Sequence, residues 1–182
     1  MMTPGESGKR IYANQADIGG GGPYEFGGYA IGTARIIFGG EPARCIGLFE
    51  NDPGLGMDRL ASGHAEFSGG RHLTFTTSTQ LVPYQRVQIC GTKGRIEVKV
   101  PLNTEAGSQT TQLTDDGTDL TGGNIRREVL PSCDQYALQG KAISAAVRGR
   151  QALEYGLDDA IANMRVINAA FRSRHSGYWE KP

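Results

Sequence analysis

Glu25 and Tyr29 are the pair of residues in this sequence best suited to chemistry. They stand in the stretch GGGGPYEFGGYAIGTAR, residues 19–35. On a helix starting near Pro23, a spacing of four projects both side chains from one face, about one turn apart. A carboxylate beside a phenol suits proton traffic at a substrate hydroxyl: the phenol donates to or accepts from the reacting oxygen and the carboxylate orients it. The same spacing is also that of a solvated acid next to a rim aromatic, and spacing alone does not separate the two.

Other chemistry-bearing residues are less well arranged. His64 and His72 fall on successive expected strands, but no third ligand has the spacing a metal needs. Cys45, Cys90 and Cys133 are odd in number and widely separated, with no zinc or redox spacing, so free thiols are expected. Neither a G-x-G-x-x-G between strand and helix nor a G-x-x-x-x-G-K-S/T occurs. The sequence therefore encodes no recognisable dinucleotide or nucleotide cradle, and no cofactor or metal site is expected in this chain.

The surrounding composition excludes several classes. Lys+Arg and Asp+Glu both number 19, with no long run of one sign, so the basic footprint of a nucleic-acid binder is absent. Apolar runs such as Tyr29–Ile31 and Ile36–Phe38 are far too short to cross a bilayer. The first ten residues lack the apolar middle of a secretory signal, and a cytoplasmic protein is expected.

These candidates need elements to hold them. Residues 1–18 read as a lead-in arm, and 19–182 as a single domain. Pro23, suited to a first helical turn, starts a helix that Gly39-Gly40 and Pro42 stop. Tyr29, Ile31, Ala34, Ile36 and Phe38 supply its apolar surface. From Pro42 the period changes to two. The clearest strand runs over Ile96, Val98 and Val100, alternating with Arg95, Glu97 and Lys99. Weaker alternation marks strands at 43–50, 58–67, 72–79, 86–90 and 125–130. Ala61, Gly63 and Ala65 give the second strand a small face that lets another layer approach closely. Residues 103–123 are poor in large apolar groups and read as a long hairpin or loop. Two helices close the chain, one presenting Tyr136, Ile143 and Val147, the other Leu157, Ile161, Met164, Ile167 and Phe171. Asp134 and Asp158-Asp159 fall in their first turns as capping acids. The expected class is α+β: an open, mainly antiparallel sheet of about six strands with helices on one face.

The segment 19–29 resembles the helix that opens the C-terminal domain of the Gfo/Idh/MocA oxidoreductases, which carry G-G-G-x-x-x-D-x-G-x-[H/Y] there. Gly19, Gly20 and Gly21 match the glycines, Glu25 the acid, Gly27 the inner glycine and Tyr29 the final aromatic. The resemblance extends through MDRLASGHAEFSGGRHLTFTTSTQLVPYQRVQICGTKGRIEVKVPLN, with its G-T-x-G-x-I-x-V hairpin, to DDAIANMRVINAAFRSRHSGYWEKP. It covers residues 10–182 and implies a fold like the C-terminal domain of glyceraldehyde-3-phosphate dehydrogenase.

The resemblance implies the substrate-binding and oligomerisation half of a sugar or polyol oxidoreductase, with Tyr29 and Glu25 catalytic and Arg10 and Gly21 contacting substrate. It implies NAD or NADP in a full-length parent and a homodimer or homotetramer formed through the open sheet face. A separate cofactor-binding domain is a further possible partner. The dinucleotide-binding half, with its E-K-P lysine, has no counterpart here. Glu180-Lys181-Pro182 spells those letters after a C-terminal helix, without that role. The chain is accordingly expected to be inactive alone; a non-catalytic binding or assembly module built on the same fold is the alternative. Two positions depart from the pattern: the family aspartate is Glu25, and a position often Asn or Asp is Gly32.

Overall fold

The structure is a computed structural model that describes residues 20–102, 104–105 and 107–182. The architecture is the expected α+β; among the described residues the antiparallel strands number seven, in sheets of three and four. The residues cluster into two compact units, one of 82–154 and the other of the flanking segments up to 81 and from 155.

In the first unit, a π-helical turn at Pro23–Gly27 leads directly into α1, Gly28–Phe38, so the expected helix forms with a widened first turn. Gly39, left-handed at φ 64°, ends it. Strands β1 (Pro42–Asn51), β2 (Asp58–Phe67) and β3 (Arg71–Ser78) then form a sheet in that order. Helix α3, Leu157–Ser176, returns from the end of the chain to pack on β1. The core lies between helices and sheet, built from Ile31 and Ala34 of α1, Cys45, Ala65 and Phe67 of the strands, and Val166, Ile167, Ala169 and Ala170 of α3.

Helix α3 turns only part of its expected apolar face inward. Ile167 is buried and Phe171 packs against the core, but Leu157, Ile161 and Met164 are exposed, and Val166, Ala169, Ala170 and Ser173 complete the buried surface. At this approach of α3 to β1, a Cβ on Gly47 would meet the Phe49 ring at 2.5 Å and the Ala170 carbonyl oxygen at 3.3 Å, so β1 has no room for a side chain there. The Ser173 hydroxyl accepts from the Gly47 amide at 2.8 Å and donates to the Ala170 carbonyl at 2.7 Å. Over β2 the small face is covered differently, by the Phe75 ring of β3 lying against Gly63. The C-terminal tail extends the sheet: Cys45 and Glu180 exchange backbone hydrogen bonds of 2.8 and 2.9 Å.

In the second unit, β4 (Arg86–Gly91), β5 (Gly94–Lys99), β6 (Thr110–Asp115) and β7 (Arg126–Leu130) form a sheet in sequence order. Strand β6 falls inside the segment expected to be loop. Its threonines have high strand propensity but give no apolar alternation. Strand β5 ends at Lys99, and Val100 leaves the extended region for φ 47°, so the alternation outlasts the strand. Asp134 caps α2, Gln135–Val147, by accepting from the Ala137 amide at 2.9 Å.

Candidate functional site

The glycine cluster, Glu25 and Tyr29 form one continuous stretch at the start of α1. Gly21 adopts φ 115°, a backbone region that side chains avoid, and its carbonyl accepts the Glu25 amide at 3.0 Å. The helix thus begins on Gly21, with Glu25 in the π-helical turn and Tyr29 in the first turn of α1. Tyr29 is 44% exposed, and Glu25 is half-buried. Arg10 lies outside the described residues.

Gly21 and Gly22 rest on Asp58, the first residue of β2, whose side chain is 5% exposed. A Cβ on Gly21 would fall 2.7 Å from both carboxylate oxygens. Burial raises the Asp58 pKa above the ordinary carboxylate value, while the Gly22 amide, its own amide and Arg174 of α3 pull the other way. One oxygen, Oδ2, has no hydrogen-bond partner, nor has Thr77 Oγ1 on β3. Sequence reasoning passed over Asp58, because a polar residue opening a strand reads as a surface position.

Two further polar contacts fix α1 against α3. Asn163 of α3 donates to the Gly28 carbonyl at 3.0 Å, and its Oδ1 lies 3.8 Å from where a Gly32 Cβ would stand. That is ordinary van der Waals separation, so nothing in the structure explains why position 32 is glycine. Arg35, 9% exposed, is held by Glu41 at 2.7 and 2.8 Å and by Asp159 of α3 at 2.9 Å. These contacts make α1 a fixed platform for Tyr29.

The glycine-rich helix start does not fit the phosphates of a dinucleotide. A phosphate cradle needs free backbone amides and positive potential at the glycine-rich helix start. Here a carboxylate occupies that position. Among the described residues there is no group of three or more His, Cys, Asp and Glu that could hold a metal, and no helix long and apolar enough to cross a membrane. His64 and His72 lie on the exposed face of β2 and β3, opposite Thr74 and Glu66 respectively. Glu180 and Lys181 serve structurally, Glu180 accepting from Ser176 at 2.7 Å and the Lys181 carbonyl from Arg172.

Residues 2–97 match the model of the GFO/IDH/MocA C-terminal domain. An uncharacterised oxidoreductase of Rhizobium meliloti is 38% identical over 167 residues, covering 92% of this chain and 50% of that protein. A D-xylose 1-dehydrogenase (NADP(+)) of Haloferax volcanii is 28% identical over 165 residues, covering 88% and 48%. The chain thus spans about half the length of the curated relatives it matches. Among solved structures, an aldose-aldose oxidoreductase from Caulobacter crescentus superposes with a TM-score of 0.81 at 20% identity, over 99% of this chain and 52% of that one. A 3-ketoreductase from Actinomadura kijaniata gives 0.81 at 18% identity, over 94% and 50%. These superpositions place the fold with that of oxidoreductase C-terminal domains.

Proposed function

Since the chain belongs to the Gfo/Idh/MocA oxidoreductase family and carries its C-terminal domain, we propose that it forms the substrate side of a nicotinamide-dependent sugar or polyol oxidoreductase. Tyr29 handles the proton of the reacting hydroxyl, and Glu25 orients it. The observation that carries this reading is the placement of Tyr29: half-exposed, about two turns beyond a helix start fixed on the sheet. A phenol so placed reaches a solvent-borne hydroxyl without moving the backbone, and preorganisation of that kind is what proton transfer at a bound substrate requires.

Glu25 is one methylene longer than the family aspartate and places a carboxyl group four residues before the phenol. Gly21 contributes only backbone, as its α-carbon faces Asp58. A sugar is favoured over other hydroxylated substrates because relatives include a D-xylose dehydrogenase and an aldose-aldose oxidoreductase. NAD or NADP belongs, on this reading, to a dinucleotide-binding unit other than the residues described, and the 182-residue chain alone is expected not to turn over. Self-association uses the outer face of β1–β2–β3. There Leu48 is 74% exposed beside Ile46, His64 and Thr74, around a shallow depression of about 390 Å³.

The test is a chimera with the dinucleotide-binding portion of the Rhizobium relative, assayed for sugar-dependent reduction of NADP. Tyr29→Phe is expected to lower kcat by about a hundredfold or more and Glu25→Gln by about tenfold, the range for a lost general acid–base group and its orienting partner. Unchanged turnover in both variants overturns the assignment.

A further inference from the structure

We propose that Asp58 is a positioning residue for the Glu25–Tyr29 helix start: an N-cap supplied from β2 by tertiary contact, holding Gly21 and Gly22 in the conformation from which the helix grows. Helices normally begin on Ser, Thr, Asp or Asn, whose side-chain oxygen accepts one of the orphan amides of the first turn. Here residues 19–22 are all glycine, and the residue at the N-cap, Gly22, has no side chain to offer.

The missing acceptor comes from the sheet. The buried Asp58 carboxylate receives the Gly22 amide and fills the space into which a Gly21 side chain would project. Gly21 in turn accepts the Glu25 amide at 3.0 Å. The line of contacts runs from Asp58 through the two glycines to Glu25, and Tyr29 follows four residues on. A cap at the N-terminus also sets a negative charge against the positive end of the helix dipole.

The polar surroundings argue for placement over simple stability. Asp58 Oδ2, Thr77 Oγ1 and Asn51 Oδ1 are all buried without hydrogen-bond partners. Asn51 stands directly opposite Asp58 in the β1–β2 register, and Thr77 Oγ1 lies 3.2 Å from where a Gly22 Cβ would be. Apolar residues of similar volume would fill this end of the sheet with less desolvation penalty. What they could not do is accept the amide and fix the φ of Gly21. The relevance of the clasp to chemistry rests on the role proposed for Tyr29; the clasp itself does not.

The test is residue-resolved native-state hydrogen exchange on the 182-residue chain. Asp58→Ala is expected to speed exchange of the Glu25–Tyr29 amides by about tenfold or more, with Cys45–Phe49 of β1 within about twofold. Asp58→Asn, which keeps an acceptor oxygen of the same shape, is expected to restore most of the protection. Gly21→Ala, whose Cβ meets the carboxylate, is expected to open the same amides and covers the case in which Asp58→Ala does not fold. Unchanged exchange at Glu25–Tyr29, equal acceleration throughout the unit, or Asn behaving like Ala each overturns the proposal. No step involves turnover, so a failure here is distinct from a failure of the Tyr29 assignment in the chimera.

Discussion

The guanidinium of Arg35 in α1 lies 2.9 Å from the carboxylate of Asp159 in the first turn of α3, 124 residues along the chain. Asp159 is thus more than a capping acid. It shares Arg35 with Glu41, whose two oxygens take the guanidinium in a fork. Both acids hold the Arg35 pKa above its ordinary value, Glu41 most strongly, against the opposing effect of burial. Arg35→Ala is expected to destabilise the chain by about 2 kcal/mol. That is less than a fully buried pair would give, because Glu41 and Asp159 reach solvent. Urea unfolding at pH 7 checks this; a midpoint equal to wild type would show the bridge to be energetically idle.

Ser173 bridges the closest approach of α3 to β1. Its hydroxyl receives the Gly47 amide and is itself satisfied by Ala170. Ser173→Ala removes the acceptor and leaves a buried N–H unpaired, for which a loss of about 1–3 kcal/mol is expected. Ser173→Thr retains the hydroxyl but adds a methyl where the layers already touch. Thermal unfolding of both variants distinguishes the two effects: Ala unaffected would mean the Gly47 amide finds another partner.

The strands that were legible in the sequence are those in which apolar side chains alternate. The 58–67 segment is β2 to the residue, and Ile96 and Val98 mark β5. Strand β6 was not legible, since its pairing with β5 and β7 is carried by Thr110, Thr111, Gln112 and Thr114, which show no apolar period. Division into two sheets was hidden too, because alternation shows that a strand exists and not which neighbour it pairs with. At the site, Glu25 and Tyr29 were found by helical spacing. Asp58 and Arg35 were not, because each acts through a partner distant in sequence and looks, locally, like an ordinary charged surface residue.

The three thiols should react at very different rates. Burial pushes the Cys45 pKa up to about 11, with Arg172 opposing and Glu180 adding, and its Sγ lies 3.6 Å from the Val166 carbonyl. On the order of one molecule in ten thousand then carries the thiolate at pH 7. Cys90 and Cys133 are exposed. A disulfide reagent is expected to label these two promptly and Cys45 only in denaturant. Prompt labelling of all three would mean that α3 lifts from β1 far more readily than its packing implies.

Leu48 gives the oligomer proposal a direct test. It stands on the outer face of β1, away from the core, beside Ile46. Leu48→Arg adds a charge to this face without touching the α3 contact, so stability should stay within about 0.5 kcal/mol of wild type. Light scattering coupled to size exclusion is expected to show a dimer or tetramer for wild type and a monomer for the variant. A variant of the same mass as wild type would place any self-association elsewhere.

The pH dependence of stability should carry the signature of Asp58. Its native pKa is raised above the ordinary 3.8, chiefly by burial. A raised carboxyl binds protons more tightly when folded than when unfolded. Its contribution to stability is therefore complete below 3.8 and is lost as pH rises through the native value. Arg174 of α3 and the Gly22 amide reduce this effect without reversing it. Asp52, whose carboxylate accepts from Gln80 and from the Gly54 and Leu55 amides, has a lowered pKa and slopes the opposite way over the acid range. Asp116, accepting from Thr118, and Asp119, accepting from Thr121, are lowered likewise, so the raw profile mixes all four. Subtracting the profile of Asp58→Asn from that of wild type removes Asp52, Asp116 and Asp119, which both share. The difference is expected to fall as pH rises above 3.8 and then to level off once Asp58 is ionised in the native state. A flat difference would mean that Asp58 ionises as readily in the fold as in water, and a rising one that its charge is stabilised beneath the glycines.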